Sequence, residues 1–142
     1  MKIATWNVNS LTARLQHVLE WLAANPIDVL CLQELKMSDD KFPLDVFKAA
    51  GYDAAVFGQK TYNGVAILSR LPMRDVVKNI GGFADEHSRV ISATLETLVG
   101  DVRVVNGYFV NGQSPGSEKF AYKMNWLTGL RNWLHDELQA HP

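Results

Sequence analysis

The run Ile27-Asp28-Val29-Leu30-Cys31-Leu32-Gln33-Glu34-Leu35-Lys36 constrains the fold of this chain more than any other ten residues. Its first six positions are apolar except Asp28. A continuous apolar run of this length, arriving after a helical segment, fits a strand covered on both faces near the centre of a mixed or parallel sheet. At its C-terminal end the run delivers Gln33 and then Glu34. Ligands of open α/β sheets gather at that edge, which makes a carboxylate leaving the sheet there a candidate for chemistry. On these ten residues alone, a solvated acid opening a loop is the simpler reading.

The residues before the run set its direction. Lys2 to Trp6 reads as a short strand entering Asn7-Val8-Asn9-Ser10, and Asn and Ser are both turn formers and helix caps. Leu11, Leu15, Val18, Leu19 and Leu22 then recur at helical spacing, and Asn25-Pro26 stops the helix. Strand, polar turn, helix and buried strand make a βαβ unit. Its right-handed crossover sets the two strands parallel, so Asn7 and Glu34 leave the sheet at the same edge.

Farther along, Pro43 suits the first turn of a short helix with Leu44, Val46 and Phe47 on its apolar side and Gly51 past its end. Tyr52–Phe57 and Val65–Ser69 read as strands, with Asn63-Gly64 marking a tight turn between them. Asp75–Ile80, Arg89–Leu95 and Val102–Tyr108 alternate as further strands. Gly100-Asp101 suggests a hairpin between the last two, making this part of the sheet antiparallel. Residues Gly81 to Ser88 read as loop. From Ser117, a plausible N-cap, the pattern is helical again: Phe120, Met124, Leu127, Leu130, Leu134 and Leu138 form one stripe, which Trp126 and Trp133 widen.

A chain of 142 residues with 47% apolar residues supports one core, and residues 1–142 read as part of a single domain. The net charge of −1 provides no strong field toward an anionic partner, so any nucleic-acid contact must come from a local arrangement of Lys and Arg. Cys31, the lone cysteine, reads as a small apolar side chain in a reducing compartment, and a cytoplasmic location is expected. The opening residues lack the apolar run of a signal peptide, and no stretch is long enough to span a bilayer; no membrane role is expected.

Five blocks in order carry a resemblance. They are Trp6-Asn7-Val8-Asn9-Ser10-Leu11 with Arg14; Leu32-Gln33-Glu34-Leu35-Lys36; Asn63-Gly64 through Ser69-Arg70; Asn106-Gly107-Tyr108-Phe109-Val110-Asn111-Gly112; and Lys119-Phe120 with Tyr122-Lys123 and Trp126. Together they resemble the exonuclease III family of abasic-site endonucleases, within the wider superfamily of endonucleases, exonucleases and phosphatases with a DNase I-like fold. The resemblance implies an α/β sandwich of the four-layer α/β/β/α kind, of which this chain is expected to supply about one mixed β-sheet with its flanking helices. It also implies a metal-dependent DNA repair nuclease that acts on abasic sites and at 3′ ends of double-stranded DNA.

By that resemblance Glu34 is the metal-binding acid, and Asn7 lies beside the metal and the scissile phosphate. The expected ion is Mg²⁺, with Mn²⁺ as the alternative. One acid with amide neighbours suits an ion that keeps several waters and shares itself with phosphate oxygens. Asn9 is either an outer hydrogen-bond partner of the site or a residue of helix entry. Tyr108 matches the active-site tyrosine, whose neutral hydroxyl donates to a phosphate oxygen. Asn111 matches a phosphate-contacting asparagine, although Val110 stands where many relatives have proline. Arg89 either contacts DNA or pairs with a carboxylate. Lys36, Tyr62 and Asn63 lie on expected edge loops where the family touches the DNA backbone. His17, His87, His135 and His141 show no metal-ligand spacing and no nucleophile partner.

The family's Asp-x-Asn segment, a further metal-site acid and a C-terminal Asp-His pair do not occur in these 142 residues. The chain is therefore expected to be the N-terminal half of such a protein and incomplete for catalysis. It would leave an apolar sheet face to be covered by a C-terminal half or another chain. The readings left beside this one are an inactive half-domain that serves binding or assembly, and another phosphoesterase of the same superfamily.

Overall fold

Strands β1 (Ile3–Asn7) and β2 (Val29–Gln33) are parallel, with Asn7 opposite Gln33, and α1 (Leu11–Ala24) makes the crossover between them. The computed structural model describes residues 1–83 and 85–142; Ala84, inside the expected Gly81–Ser88 loop, lies outside the described residues. Ser10 caps α1 by accepting from the Ala13 N–H, and the helix ends at Asn25 as the Asn-Pro pair predicts. After α2 (Leu44–Ala49), β3 (Asp53–Phe57) and β4 (Val65–Ser69) complete a four-stranded mixed sheet in the order β1-β2-β4-β3. Every residue of β2 and β4 is buried. The apolar run of β2 thus has the cause expected of it: Leu30 and Leu32 face α1 and α2, while Val29 and Cys31 face the other way, into a second layer of strands.

That second layer corrects the expectation of about one sheet. The α/β class with a mixed sheet and flanking helices holds, but β5 (Met73–Lys78), β6 (Val90–Thr97) and β7 (Gly100–Gly107) form a separate antiparallel sheet. Arg70 still donates to the Asp28 carbonyl at 2.9 Å, and then the Ser69 hydroxyl folds back on Leu71 ahead of Pro72. Pro72 has no N–H to continue a ladder, so the chain leaves the first sheet there. The two sheets pack face to face through Val29, Cys31, Val65 and Ile67 against Ile91, Ala93 and Leu95. Burial pushes the Cys31 thiol up to about 11, which keeps it protonated.

Helix α3 (Glu118–Ala140), capped by Ser117, covers the outer face of the second sheet. Its buried line is Trp126, Leu130 and Trp133, packed on Ile80, Val90 and Val110. The expected stripe through Leu134 and Leu138 is rotated away, and these two leucines are exposed. Positions 126, 130 and 133 share a helix face, and the two indoles claim the sheet because they bury the larger area. Gly129 lets this helix approach, since a Cβ there would come within 2.8 Å of the Phe83 ring.

All four layers are therefore present, and no sheet face is left open in the way expected. What stays open is one side of the sandwich, where edge strands β1 and β7 border a cleft of about 540 Å³ that reaches Cys31 and Gln33. On that side Ile3 is 49% exposed. None of the helices in the described residues is long and apolar enough to cross a membrane.

Candidate active site at the sheet edge

The end of β2 is stitched to its neighbours by main-chain bonds that run past the regular ladder. Val8 donates to the Gln33 carbonyl at 3.0 Å, Ser10 to that of Glu34 at 2.8 Å and Leu11 to that of Leu35 at 3.0 Å. On the other side Leu35 donates to Gly64 at 3.1 Å and Lys36 to Asn63 at 2.9 Å. These bonds hold Asn9, Glu34, Lys36 and Asn63 in the left-handed region, with φ of 44°, 57°, 55° and 56°. Asn accepts that conformation readily; Glu and Lys do so at a cost of about 1–3 kcal/mol, sustained only where the surroundings dictate it. Gly64 has φ 96°, and a Cβ on it would meet the Leu35 side chain at 3.0 Å.

Four polar side chains singled out in the sequence, those of Asn7, Asn9, Glu34 and Lys36, emerge from this frame. The Asn7 Oδ1 accepts from the Asn9 N–H at 3.1 Å, and the Asn9 Oδ1 accepts from the Lys36 Nζ at 2.6 Å. Asn9 is thus both the helix-entry residue and a partner of its neighbours. Glu34 is half-buried beside Tyr108. Burial raises the Tyr108 hydroxyl above its ordinary value, the neighbouring Glu34 carboxylate raises it further, and Arg89 opposes them. The hydroxyl is neutral at pH 7 and available as a donor.

Below this edge lies a polar bridge that the motifs did not reveal. Gln33 and Asn106, both buried, meet between the sheets, with the Gln33 Nε2 donating to the Asn106 Oδ1 at 2.8 Å. The Asn106 Nδ2 donates onward to the carbonyls of Leu32 at 2.9 Å and Ala66 at 2.8 Å. Gln33 immediately precedes Glu34, and Asn106 stands two residues before Tyr108, so the bridge ties the two halves of the site at fixed separation.

The predicted DNA-contact residues divide. Arg89, Tyr62, Asn111 and Tyr108 line one cleft of about 440 Å³. Arg89 is hydrogen-bonded to the Tyr108 carbonyl at 3.3 Å and makes no carboxylate pair among the described residues. Lys36 is on the Asn9 side of the edge. The Asn63 amide turns inward, with its Nδ2 donating to Gln59 at 2.9 Å, and its carbonyl positions Lys36. Asn63 therefore shapes the loop and does not reach the cleft. The sequence assigned no site role to His87, Tyr122 and Lys119, which line this cleft with Arg89, or to Asp85, which the Tyr122 hydroxyl reaches. Only the Lys-Phe-x-Tyr-Lys block pointed toward them.

Among the described residues no three His, Cys, Asp or Glu side chains gather as a metal centre. The donors at the edge are one carboxylate, Glu34, and the amide oxygen of Asn7. An all-oxygen set with one formal charge fits Mg²⁺ as an ion that completes its shell with water and phosphate oxygens, and does not fit a thiol- or imidazole-seeking ion.

The model of the Endonuclease/Exonuclease/phosphatase family matches residues 4–140. Exodeoxyribonuclease III of Haemophilus influenzae is 34% identical over 142 residues, spanning 96% of this chain and 52% of its own length. Among solved structures, the 3′ phosphatase NExo from Neisseria bound to product DNA hairpin superposes with a TM-score of 0.94 at 47% identity, over 99% of this chain and 54% of that one. An AP endonuclease from Archaeoglobus fulgidus does so with a TM-score of 0.88 at 38% identity, over 94% of this chain and 51% of that one. The chain spans about half the length of the relatives it matches.

Proposed function

This chain belongs to the endonuclease/exonuclease/phosphatase family, and from that premise we propose that it carries the Glu34 portion of a Mg²⁺-dependent DNA repair nuclease. The substrate is double-stranded DNA with abasic sites or 3′ ends, and the reaction is hydrolysis of a phosphate ester bond. The single observation that carries this reading is the convergence of Asn7, Glu34 and Tyr108 at one sheet edge, beside a cleft lined by Arg89.

Glu34 and Asn7 would hold the metal, which when bound supplies Lewis-acid stabilisation of charge on phosphoryl and leaving oxygens. Tyr108 donates its hydroxyl proton as a hydrogen bond to a phosphate oxygen, a contact that strengthens as negative charge develops. The Gln33–Asn106 bridge keeps that donor and the Glu34 carboxylate in register. Arg89 and Asn111 receive the DNA backbone, and phosphate contacts of this kind dominate affinity.

The group that activates the attacking water lies outside residues 1–142 in this reading, and the open β1–β7 side is where the segment bearing it docks. Among the described residues no three His, Cys, Asp or Glu side chains cluster, which favours this over turnover by residues 1–142 unaided. Incision of an abasic-site duplex, and release of phosphate from small phosphoesters, each measured with Mg²⁺ and with EDTA in the full-length protein, test the reading. Mg²⁺-dependent incision supports it. Activity confined to small phosphoesters moves the chain to another branch of the family, and EDTA-resistant incision overturns the metal.

A further inference from the structure

Arg89, the residue immediately before β6, is only 9% exposed, and its Nε has no hydrogen-bond partner. A cation this deeply set normally has a carboxylate beside it, because desolvating an unpaired charge costs several kcal/mol, about the scale that makes proteins avoid it. Here two aromatic faces take that place. The guanidinium carbon lies 5.0 Å from the centroid of the Tyr108 ring and 5.9 Å from that of Tyr122. Tyr122 comes from the first turns of α3, and the Tyr122 hydroxyl donates to the Asp85 Oδ2 at 2.7 Å. The other Asp85 oxygen accepts from the His87 N–H at 2.9 Å, and the carboxylate is 3% exposed. Asp85 is thereby committed to Tyr122 and the loop, which leaves Arg89 unpaired at the wall of the 440 Å³ cleft.

We infer that Tyr122 is a positioning residue: its ring, latched through its hydroxyl to Asp85, keeps the Arg89 guanidinium over the Tyr108 ring and free of carboxylates, ready to seat one non-reacting phosphate of a DNA strand. The inference rests on the nuclease reading and extends it, since it names what makes Arg89 available. The charged groups facing Arg89 from α3 are Glu118 and Lys119, both exposed and of opposite sign, so neither decides its partner. His87 faces it from the loop, with its Nδ1 3.3 Å from the Tyr122 hydroxyl. Loss of that hydroxyl frees an acid beside a cation, and the natural result is an Asp85–Arg89 pair that competes with phosphate.

The test is the salt dependence of DNA-hairpin binding by the full-length protein, read by fluorescence anisotropy for wild type, Arg89→Ala, Tyr122→Phe, the double variant, and Tyr122→Phe with Asp85→Asn. Tyr122→Phe keeps the ring and is expected to fold. It should weaken binding about fivefold, the scale of one lost ion contact at a solvent-accessible site, and lower the slope of log affinity against log salt by about 0.9, one phosphate. It should add nothing to Arg89→Ala, and Asp85→Asn should restore it. A Tyr122→Phe effect that persists unchanged in the Arg89→Ala background, or one that leaves the salt slope alone, overturns the positioning role. Arg89→Ala binding as the wild type does, at every salt concentration, overturns the nuclease reading of this cleft itself.

Discussion

Glu34 and Arg89 flank the same tyrosine and are held there by opposite means. Glu34 is placed by its backbone: main-chain bonds on both sides, a left-handed φ of 57° and a side chain left half-exposed. Arg89 is placed by side chains, between the rings of Tyr108 and Tyr122, and it is buried. The acid can therefore change identity without disturbing the edge that presents it. The cation depends on residues that α3 delivers from more than thirty positions away, and its geometry fails when they change.

The largest expected effect separates the two directly. Trp126→Ala empties the anchor of α3 and should cost about 3–5 kcal/mol of stability. Hydrogen exchange should then show α3 amides losing protection while those of β2 keep theirs; equal loss in both would mean the two sides do not differ in construction. Next is Glu34→Gln, which should lower DNA incision by the full-length protein more than about 100-fold, beyond the range for residues that only orient a ligand, while moving stability by no more than about 0.5 kcal/mol. A matching fall in thermal stability would break the claim that the backbone places this residue.

Asn106→Ala removes the bridge that joins the sides. It leaves the Leu32 and Ala66 carbonyls without their donor, for a cost of about 1–3 kcal/mol by chemical denaturation. The smallest effect concerns Tyr122, whose hydroxyl is pushed up to about 12, by burial first and then by Asp85. Its neutral form is favoured in the folded state, so the stability it contributes is present below pH 10 and is lost as pH rises from about 10 to 12. Ultraviolet titration should show a tyrosine ionising late, and Tyr122→Phe should remove that component.

How much was legible in the residues follows the same division. The β2 strand, the Val65–Ser69 strand, the Asn25 and Ser117 caps and the shared exit of Asn7 and Glu34 rest on local pattern and one handed crossover, and all are found. The split into two sheets was hidden because β6 alternates in the same way whichever sheet it joins. The rotation of α3 was hidden because two apolar stripes overlap on that helix, and only the packing of Trp126 and Trp133 chooses between them. Asn63 has the composition of a contact residue and the geometry of a turn. Asp85 and Tyr122 meet across 37 positions, a contact that no periodicity announces.

Metal binding tests the account most directly, because it needs neither DNA nor turnover. Mn²⁺ titrated into the protein and followed by electron paramagnetic resonance should show one weak site in the wild type, displaced by Mg²⁺ and lost in Glu34→Gln. A site of unchanged affinity in Glu34→Gln would contradict the assignment of this sheet edge as the metal-binding centre.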